Sequence, residues 1–125
     1  MEAFKFTSTH EWVKTTQTGM MIGITEHAQQ LLGDLVFVEL PAIGSIVNSG
    51  DELGVIESVK AASDFYAPIS GEIIATNTAI LNDPGIINQD PYDKGWLGTI
   101  KPTNPTELDQ LLTAAQYHQQ VTEEY

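Results

Sequence analysis

Lys60 is the residue with the clearest chemical use in this sequence, within the run Glu57-Ser58-Val59-Lys60-Ala61-Ala62-Ser63-Asp64. Its primary amine sits in a polar turn between two apolar segments, and the small neighbouring residues leave room for an enzyme to reach it. A Schiff-base or nucleophilic lysine needs a desolvating pocket to lower its pKa, which an exposed turn does not supply. Taken alone, a lysine in a turn reads as a solvated charge. Here the chain has only 5 basic residues, all Lys, and the turn joins two strands, so the amine reads as a site for covalent attachment.

No other set of residues makes an enzyme. The phosphate loop, the dinucleotide fingerprint and the nucleophile elbow are all missing, and His10-Glu11 has no second His at metal-binding spacing. His10, His27 and His118 are scattered and read as hydrogen-bonded or partly exposed side chains, so neither a metal nor a catalytic group is expected. With no Cys, thiolate catalysis, disulfides and Fe–S ligation are excluded, and any sulfur redox chemistry has to come from a cofactor. Five Lys against 17 acidic residues give a net charge of −12, which is wrong for nucleic acid or an anionic membrane. That charge favours a soluble monomer and could steer basic-faced partners to the chain. Without an apolar run of roughly 20 residues or a leader-like start, the expected location is cytoplasmic, or a mitochondrial matrix if a transit peptide has been removed.

The elements that must position Lys60 are short. Glu11–Lys14 and Met20–Ile24 read as a hairpin around a polar turn, and Thr25 caps a short helix, Glu26–Leu32, which Gly33 ends in a left-handed conformation. Leu35–Leu40, closed by Pro41, is a strand. From Gly44 onward, turn residues recur every few positions around Leu53–Val59, Asp64–Pro68 and Ser70-Gly71. This spacing suits an all-β barrel or sandwich, with Lys60 at a hairpin tip. A weak internal repeat aligns Gly33–Val36 with Gly71–Ile74, Ile46–Asn48 with Ile86–Asn88, and Leu53–Ile56 with Leu97–Ile100. Trp12 and Trp96 read as packing residues, and Asp90-Pro91-Tyr92 as a turn. Asn104, Pro105 and Glu107 should open a helix that buries Leu108, Leu111 and Leu112, and Thr113 should cap a second helix running to Glu123-Glu124. Residues 1–125 thus read as one domain with a helical appendage over about 104–125.

Six segments, in order, resemble the glycine cleavage system H protein family of lipoylated carriers. They are His10-Glu11-Trp12-Val13; Gly23-Ile24-Thr25 with Ala28-Gln29 and Leu32-Gly33-Asp34; Val36-Phe37-Val38-Glu39-Leu40-Pro41; Glu57–Asp64; Pro68-Ile69-Ser70-Gly71-Glu72; and Asn88-x-Asp90-Pro91-Tyr92-x-x-Gly95-Trp96-Leu97. The resemblance implies a mainly β barrel-sandwich hybrid of the lipoyl/biotinyl carrier type, with lipoate in amide linkage on Lys60. Glu57, Ser58, Val59 and Ala61 would be read around the modified lysine by lipoyl- or octanoyl-attaching enzymes. The arm would visit a pyridoxal-phosphate glycine decarboxylase (P protein), a tetrahydrofolate-dependent aminomethyltransferase (T protein) and a flavin dihydrolipoyl dehydrogenase (L protein). It would shelter its aminomethyl load in a cleft formed by Thr9, Glu11, His27 and Asp64. Thr9 stands where Ser is often found, keeping the hydroxyl and adding a methyl.

Four other readings compete with this one. An H-like protein that donates or relays lipoyl groups to other enzymes would use the same Lys60. A lipoyl module of a 2-oxo acid dehydrogenase would have Asp before its lysine, where Val59 stands, and a biotin carrier would have flanking Met residues. An acidic scaffold domain would leave Lys60 unmodified.

Overall fold

Two antiparallel sheets form the frame of the chain in a computed structural model that describes residues 4–123. The strands, in chain order, are β1 (Phe4–Phe6), β2 (Glu11–Thr15), β3 (Met20–Ile24), β4 (Leu35–Glu39), β5 (Ile46–Val47), β6 (Glu52–Ser58), β7 (Ala62–Tyr66), β8 (Gly71–Thr76) and β9 (Gly98–Pro102). Six of them form one sheet in the order β1-β2-β3-β9-β8-β5, and the other three form a sheet in the order β4-β6-β7. Helix α1 (Glu26–Leu32) leads from the first sheet into the second, with the Thr25 side chain accepting from Ala28 N–H and Gly33 at φ +85° ending it. The short helices α2 (Ala79–Asn82) and α3 (Gly85–Gln89) pack against β4.

The inward side chains of both sheets meet in one core that includes Ile22, Leu35, Val38, Ile56, Phe65, Ile73 and Ile100. Neither sheet closes on itself, and the result is a mainly β barrel-sandwich hybrid. A second, aromatic cluster holds the C-terminal part. Tyr117 of α4 (Ala114–Glu123) stacks on Phe6 with ring centroids 4.8 Å apart, and the buried Trp12 indole donates to the Pro91 carbonyl at 2.9 Å. Thr113 caps α4 as expected, its hydroxyl accepting from Gln116 N–H.

The chain departs from the sequence expectations at four points. Ile86-Ile87-Asn88 lie in α3, whereas Ile46-Val47 form β5, so the middle match of the apparent repeat joins a helix to a strand. Ile87 is fully buried from a helix, and a short apolar run does not distinguish the two states. Pro105–Gln110 is a 3-10 helix; Glu107 does not close a capping box but turns outward to accept from the Ser70 N–H and hydroxyl at 2.7 and 2.9 Å. Leu108, Leu111 and Leu112 are accordingly half-buried. Phe4–Phe6 adds a strand, β1, at the edge of the larger sheet.

Gly23 pairs with Trp12 across the first hairpin, and a Cβ at Gly23 would stand 2.5 Å from two atoms of that ring. Trp12 is wholly enclosed and cannot retreat. Gly23→Ala should therefore lower unfolding stability by about 1–3 kcal/mol, as overpacking of a filled core does, measured as a fall in urea midpoint at unchanged slope.

Candidate functional site

Lys60 stands at the apex of the β6–β7 hairpin, whose last paired residues are Glu57 and Ala62. Ser58 closes the turn. Its N–H donates to the Ala61 carbonyl at 2.7 Å, and its buried hydroxyl accepts from the N–H groups of Lys60 and Ala61 at 3.2 and 3.0 Å. A serine side chain of this kind satisfies amides that the sharp turn takes out of the ladder. Val59 and Lys60 are left exposed on top, with Glu57 half-buried below and Ala61 exposed beside them.

The tip also rests on the body of the protein. Val59 N–H donates to the Asp34 carbonyl at 3.2 Å, and the lysine stem lies over Gly33, where a Cβ would come 3.4 Å from Lys60 Cε and 3.9 Å from Nζ. Gly33 thus serves both its left-handed conformation and the space beside the lysine. Asn88 of α3 holds this junction from below. Its amide donates to the Gly33 carbonyl at 2.9 Å and to Gln29 Oε1 at 2.8 Å, and its oxygen accepts from Leu35 N–H at 3.0 Å.

Glu11 occupies a different place, at the floor of a cleft of about 510 Å³ lined by Thr7, Thr9, Tyr66, Pro68 and Leu111, among others. The residue as a whole is only 3% exposed. The hydroxyls of Thr7 (2.6 Å) and Thr9 both donate to Oε1, and Tyr66 N–H donates to Oε2 at 3.3 Å. His10, at φ +76°, reverses the chain so that both threonines face one carboxylate. Burial raises the Glu11 pKa above its ordinary value, and the hydrogen bonds from Thr7, Thr9 and Tyr66 oppose that rise. Among the described residues, no Lys, Arg or His lines this cleft.

The four residues expected to form one docking cleft are distributed. Thr9 and Glu11 are in contact. Asp64 is exposed on β7, two residues before Tyr66 and therefore on the same strand face, between the Lys60 tip and Glu11. His27 lies in a neighbouring cleft of about 410 Å³ with Glu26, Tyr92, Tyr117 and His118. Its ring lies 4.9 Å from His10, whose Nδ1 is 2.7 Å from the Tyr117 hydroxyl; that hydroxyl is in turn 2.7 Å from Thr25 Oγ1. His27 thus backs the His10 turn that shapes the Glu11 site. Thr7, Tyr66 and Asn88 complete the arrangement. Of these, only Asn88 carried a sequence signal, through its place in the last of the six resembling segments.

A two-sheet β hybrid that offers one pinned lysine at a hairpin apex is the architecture of a carrier domain. Comparison with known proteins narrows the class. The sequence model described as Glycine cleavage H-protein matches residues 4–124. The chain is 55% identical over 124 residues to the glycine cleavage system H protein of Legionella pneumophila (strain Corby), covering 99% of both chains. It is 52% identical over 121 residues to that of Shewanella putrefaciens, covering 96% of this chain and 94% of the other. The crystal structure of a glycine cleavage system H protein from Mycobacterium marinum superposes with a TM-score of 0.87 at 40% identity, covering 96% of this chain and 97% of that one. The chain belongs to the glycine cleavage H-protein family.

The raised pKa of Glu11 sets a sign for stability against pH. Its folded value lies above its unfolded one, so the folded state holds the proton more tightly. The stability this contributes is present below the unfolded pKa and is lost as pH rises through the folded value. Glu11→Gln has no such titration. The melting temperature of the parent minus that of the variant should therefore be greater at pH 4.5 than at pH 7.5 in thermal scans of the two proteins.

Proposed function

We propose that Lys60 carries lipoate in amide linkage and that residues 1–125 act as one non-catalytic carrier domain of glycine cleavage. The observation that carries this reading is the tip itself: an exposed primary amine on a backbone fixed by Ser58, Asp34 and Gly33, in a chain of the H-protein family. When bound, the lipoyl group supplies the disulfide–dithiol chemistry that carries the aminomethyl group of glycine between enzymes. The partners in this reading are the glycine decarboxylase, the aminomethyltransferase and the dihydrolipoyl dehydrogenase, with a lipoyl- or octanoyl-attaching enzyme to modify Lys60. Among the described residues no helix is long and apolar enough to cross a membrane, and no group of three or more His, Cys, Asp or Glu residues suits a metal ion.

The chain's own residues divide the work. Ser58 and the Asp34 carbonyl hold the tip so that the lysine stem leaves the surface from a constant point. Glu11 offers a buried carboxylate at the floor of a cleft whose lining brings no positive charge, a fit for the cationic amine of a loaded arm. Thr7 and Thr9 fix the carboxylate's orientation, and Asp64 presents a second carboxylate along β7 on the way from Lys60. His27 takes part from behind, as a positioning residue for the His10 turn. Seating the amine in this cleft would keep water from a labile adduct.

Two linked measurements test the reading. Incubation with lipoate, ATP and a lipoate-attaching enzyme should add one lipoyl amide to the parent, mapped to Lys60 by peptide mass spectrometry and absent from Lys60→Arg. After loading with glycine and the decarboxylase, Glu11→Ala should lose its aminomethyl group to water faster than the parent, with Lys60 equally lipoylated in both. Equal rates of loss would remove Glu11 from arm docking, and an unmodified Lys60 would remove the carrier role altogether.

A further inference from the structure

One wall of the Glu11 cleft is made by Gln110, Leu111 and Leu112, the last part of a strap that starts at Asn104 and runs through the 3-10 helix Pro105–Gln110. No residue of that helix is buried. Leu108 and Leu111 rest in part on the main core and Leu112 on the aromatic cluster. A segment with so little buried surface depends on its polar ties to stay in place. At the far end the strap is stitched to β1, where Phe6 and Leu112 exchange both backbone hydrogen bonds at 2.8 Å. Nearer its start the tie comes from Glu107, whose Oε1 accepts from the Ser70 N–H at 2.7 Å and whose Oε2 accepts from the Ser70 hydroxyl at 2.9 Å. Two-point bonding to a carboxylate is stronger and more directional than a bond between neutral groups. Ser70 is in turn fixed to another wall of the same cleft: its Oγ accepts from the Ser49 N–H at 2.9 Å, and Ser49, Gly50 and Pro68 all line that side. The series Glu107, Ser70, Ser49 therefore ties the strap to the turn before β6.

We propose that Glu107 is a positioning residue for the loaded arm: by gripping Ser70 it holds Gln110 and Leu111 against the cleft, so that an arm seated over Glu11 is closed off from water on that side. The proposal rests on the carrier reading and goes beyond it, because Glu107 lines neither the cleft nor the Lys60 tip and acts only through the wall that it anchors. Without the Glu107 carboxylate, the strap between Thr103 and Leu112 keeps only its own short-range bonds, Glu107 N–H to the Asn104 carbonyl at 3.1 Å and Leu111 N–H to the Leu108 carbonyl at 3.2 Å. Neither of these fixes it to the cleft. The step that a closed cleft opposes is hydrolysis of the load. The oxygen of water ends on the methylene carbon, the carbon–sulfur and carbon–nitrogen bonds break with their electron pairs going to sulfur and nitrogen, and the two protons of water go one to each. The products are the dihydrolipoyl thiol, formaldehyde and ammonium, so water is the only co-reactant and keeping it out is sufficient protection.

Lipoylated full-length chains, loaded with glycine and the decarboxylase and then separated from it, test this through the rates of formaldehyde release and thiol gain. The chain has no Cys, so every thiol counted belongs to the arm. Glu107→Ala should lose its load about fivefold faster than the parent, the factor that one net hydrogen bond carries in an equilibrium. Glu107→Gln, whose amide oxygen still accepts from the Ser70 N–H, should recover most of the parental lifetime. Asp109→Ala, which removes an exposed carboxylate from the same helix, should keep all of it. Oxidation of the unloaded dihydrolipoyl arm by the dihydrolipoyl dehydrogenase should be unchanged in all three. Amide exchange should rise at Ser70 in Glu107→Ala while Leu112, bonded to Phe6, stays protected. Ser70→Ala, which drops one of the two bonds, should fall between the parent and Glu107→Ala, and it keeps the test valid if Glu107→Ala fails to fold. A parental lifetime in Glu107→Ala beside a shortened one in Glu11→Ala would overturn the role of Glu107 and leave the carrier reading intact. Equal acceleration by Asp109→Ala would overturn it in favour of lost charge, and loss of protection at Leu112 together with Ser70 would overturn it in favour of a loosened appendage. A parent that is never modified at Lys60 would overturn both readings.

Discussion

A lysine offered to several enzymes has to be exposed and also held still, and at the apex of a hairpin those two demands conflict. An apex has few neighbours, and its amides leave the ladder. Here the conflict is resolved by Ser58, whose buried hydroxyl takes two amide protons from the apex, and by the Asp34 carbonyl, which receives the Val59 N–H. Each net hydrogen bond contributes only about 1 kcal/mol, but the bonds from the Val59, Lys60 and Ala61 amides act together to favour one geometry of the turn. The α1–β4 junction that provides the Asp34 carbonyl is itself tied to α3 by Asn88. The two-sheet core supports that junction through Leu35 and Val38, and in this sense the rest of the molecule holds up the lysine.

The same economy governs Glu11. A carboxylate with so little contact with water is costly, and the left-handed turn at His10 brings two hydroxyls to it in place of solvent. His10 is in turn braced by the Tyr117 hydroxyl from the C-terminal helix, and Gln120 of the same helix donates to the Ser8 carbonyl at 3.0 Å, so α4 reaches the Glu11 site through both side chains. The C-terminal appendage is therefore part of how the cleft is shaped as well as a cover for Phe6.

Local signals made much of this legible in the sequence. The Thr25 cap, the Gly33 stop and the run before Pro41 define α1 and β4 because each depends on residues within a few positions. The turn around Lys60 and the all-β class followed from the spacing of turn residues. What escaped depends on contacts across the chain. Ile86-Ile87-Asn88 are helical because Ile87 fills the core from α3, and an apolar pair of that length fits either state. A bulge in β4, where Val36 and Phe37 are exposed, arises only when β4 meets β6. His27 lines the neighbouring cleft rather than the one with Glu11 at its floor, and its ring lies beside His10. Tyr66 takes part through its backbone N–H, which no residue type announces.

Moving the lysine by one position tests the central claim, that the fixed apex rather than the mere presence of an amine defines the site. In the doubly substituted chain carrying Val59→Lys and Lys60→Ala, the amine stays on the same turn but leaves the surface from a different point. Incubation with the lipoate-attaching enzyme, lipoate and ATP, followed by peptide mass spectrometry, should find no lipoyl amide at position 59 under conditions that fully modify the parent at Lys60. Modification of the relocated lysine at the parental rate would contradict the account.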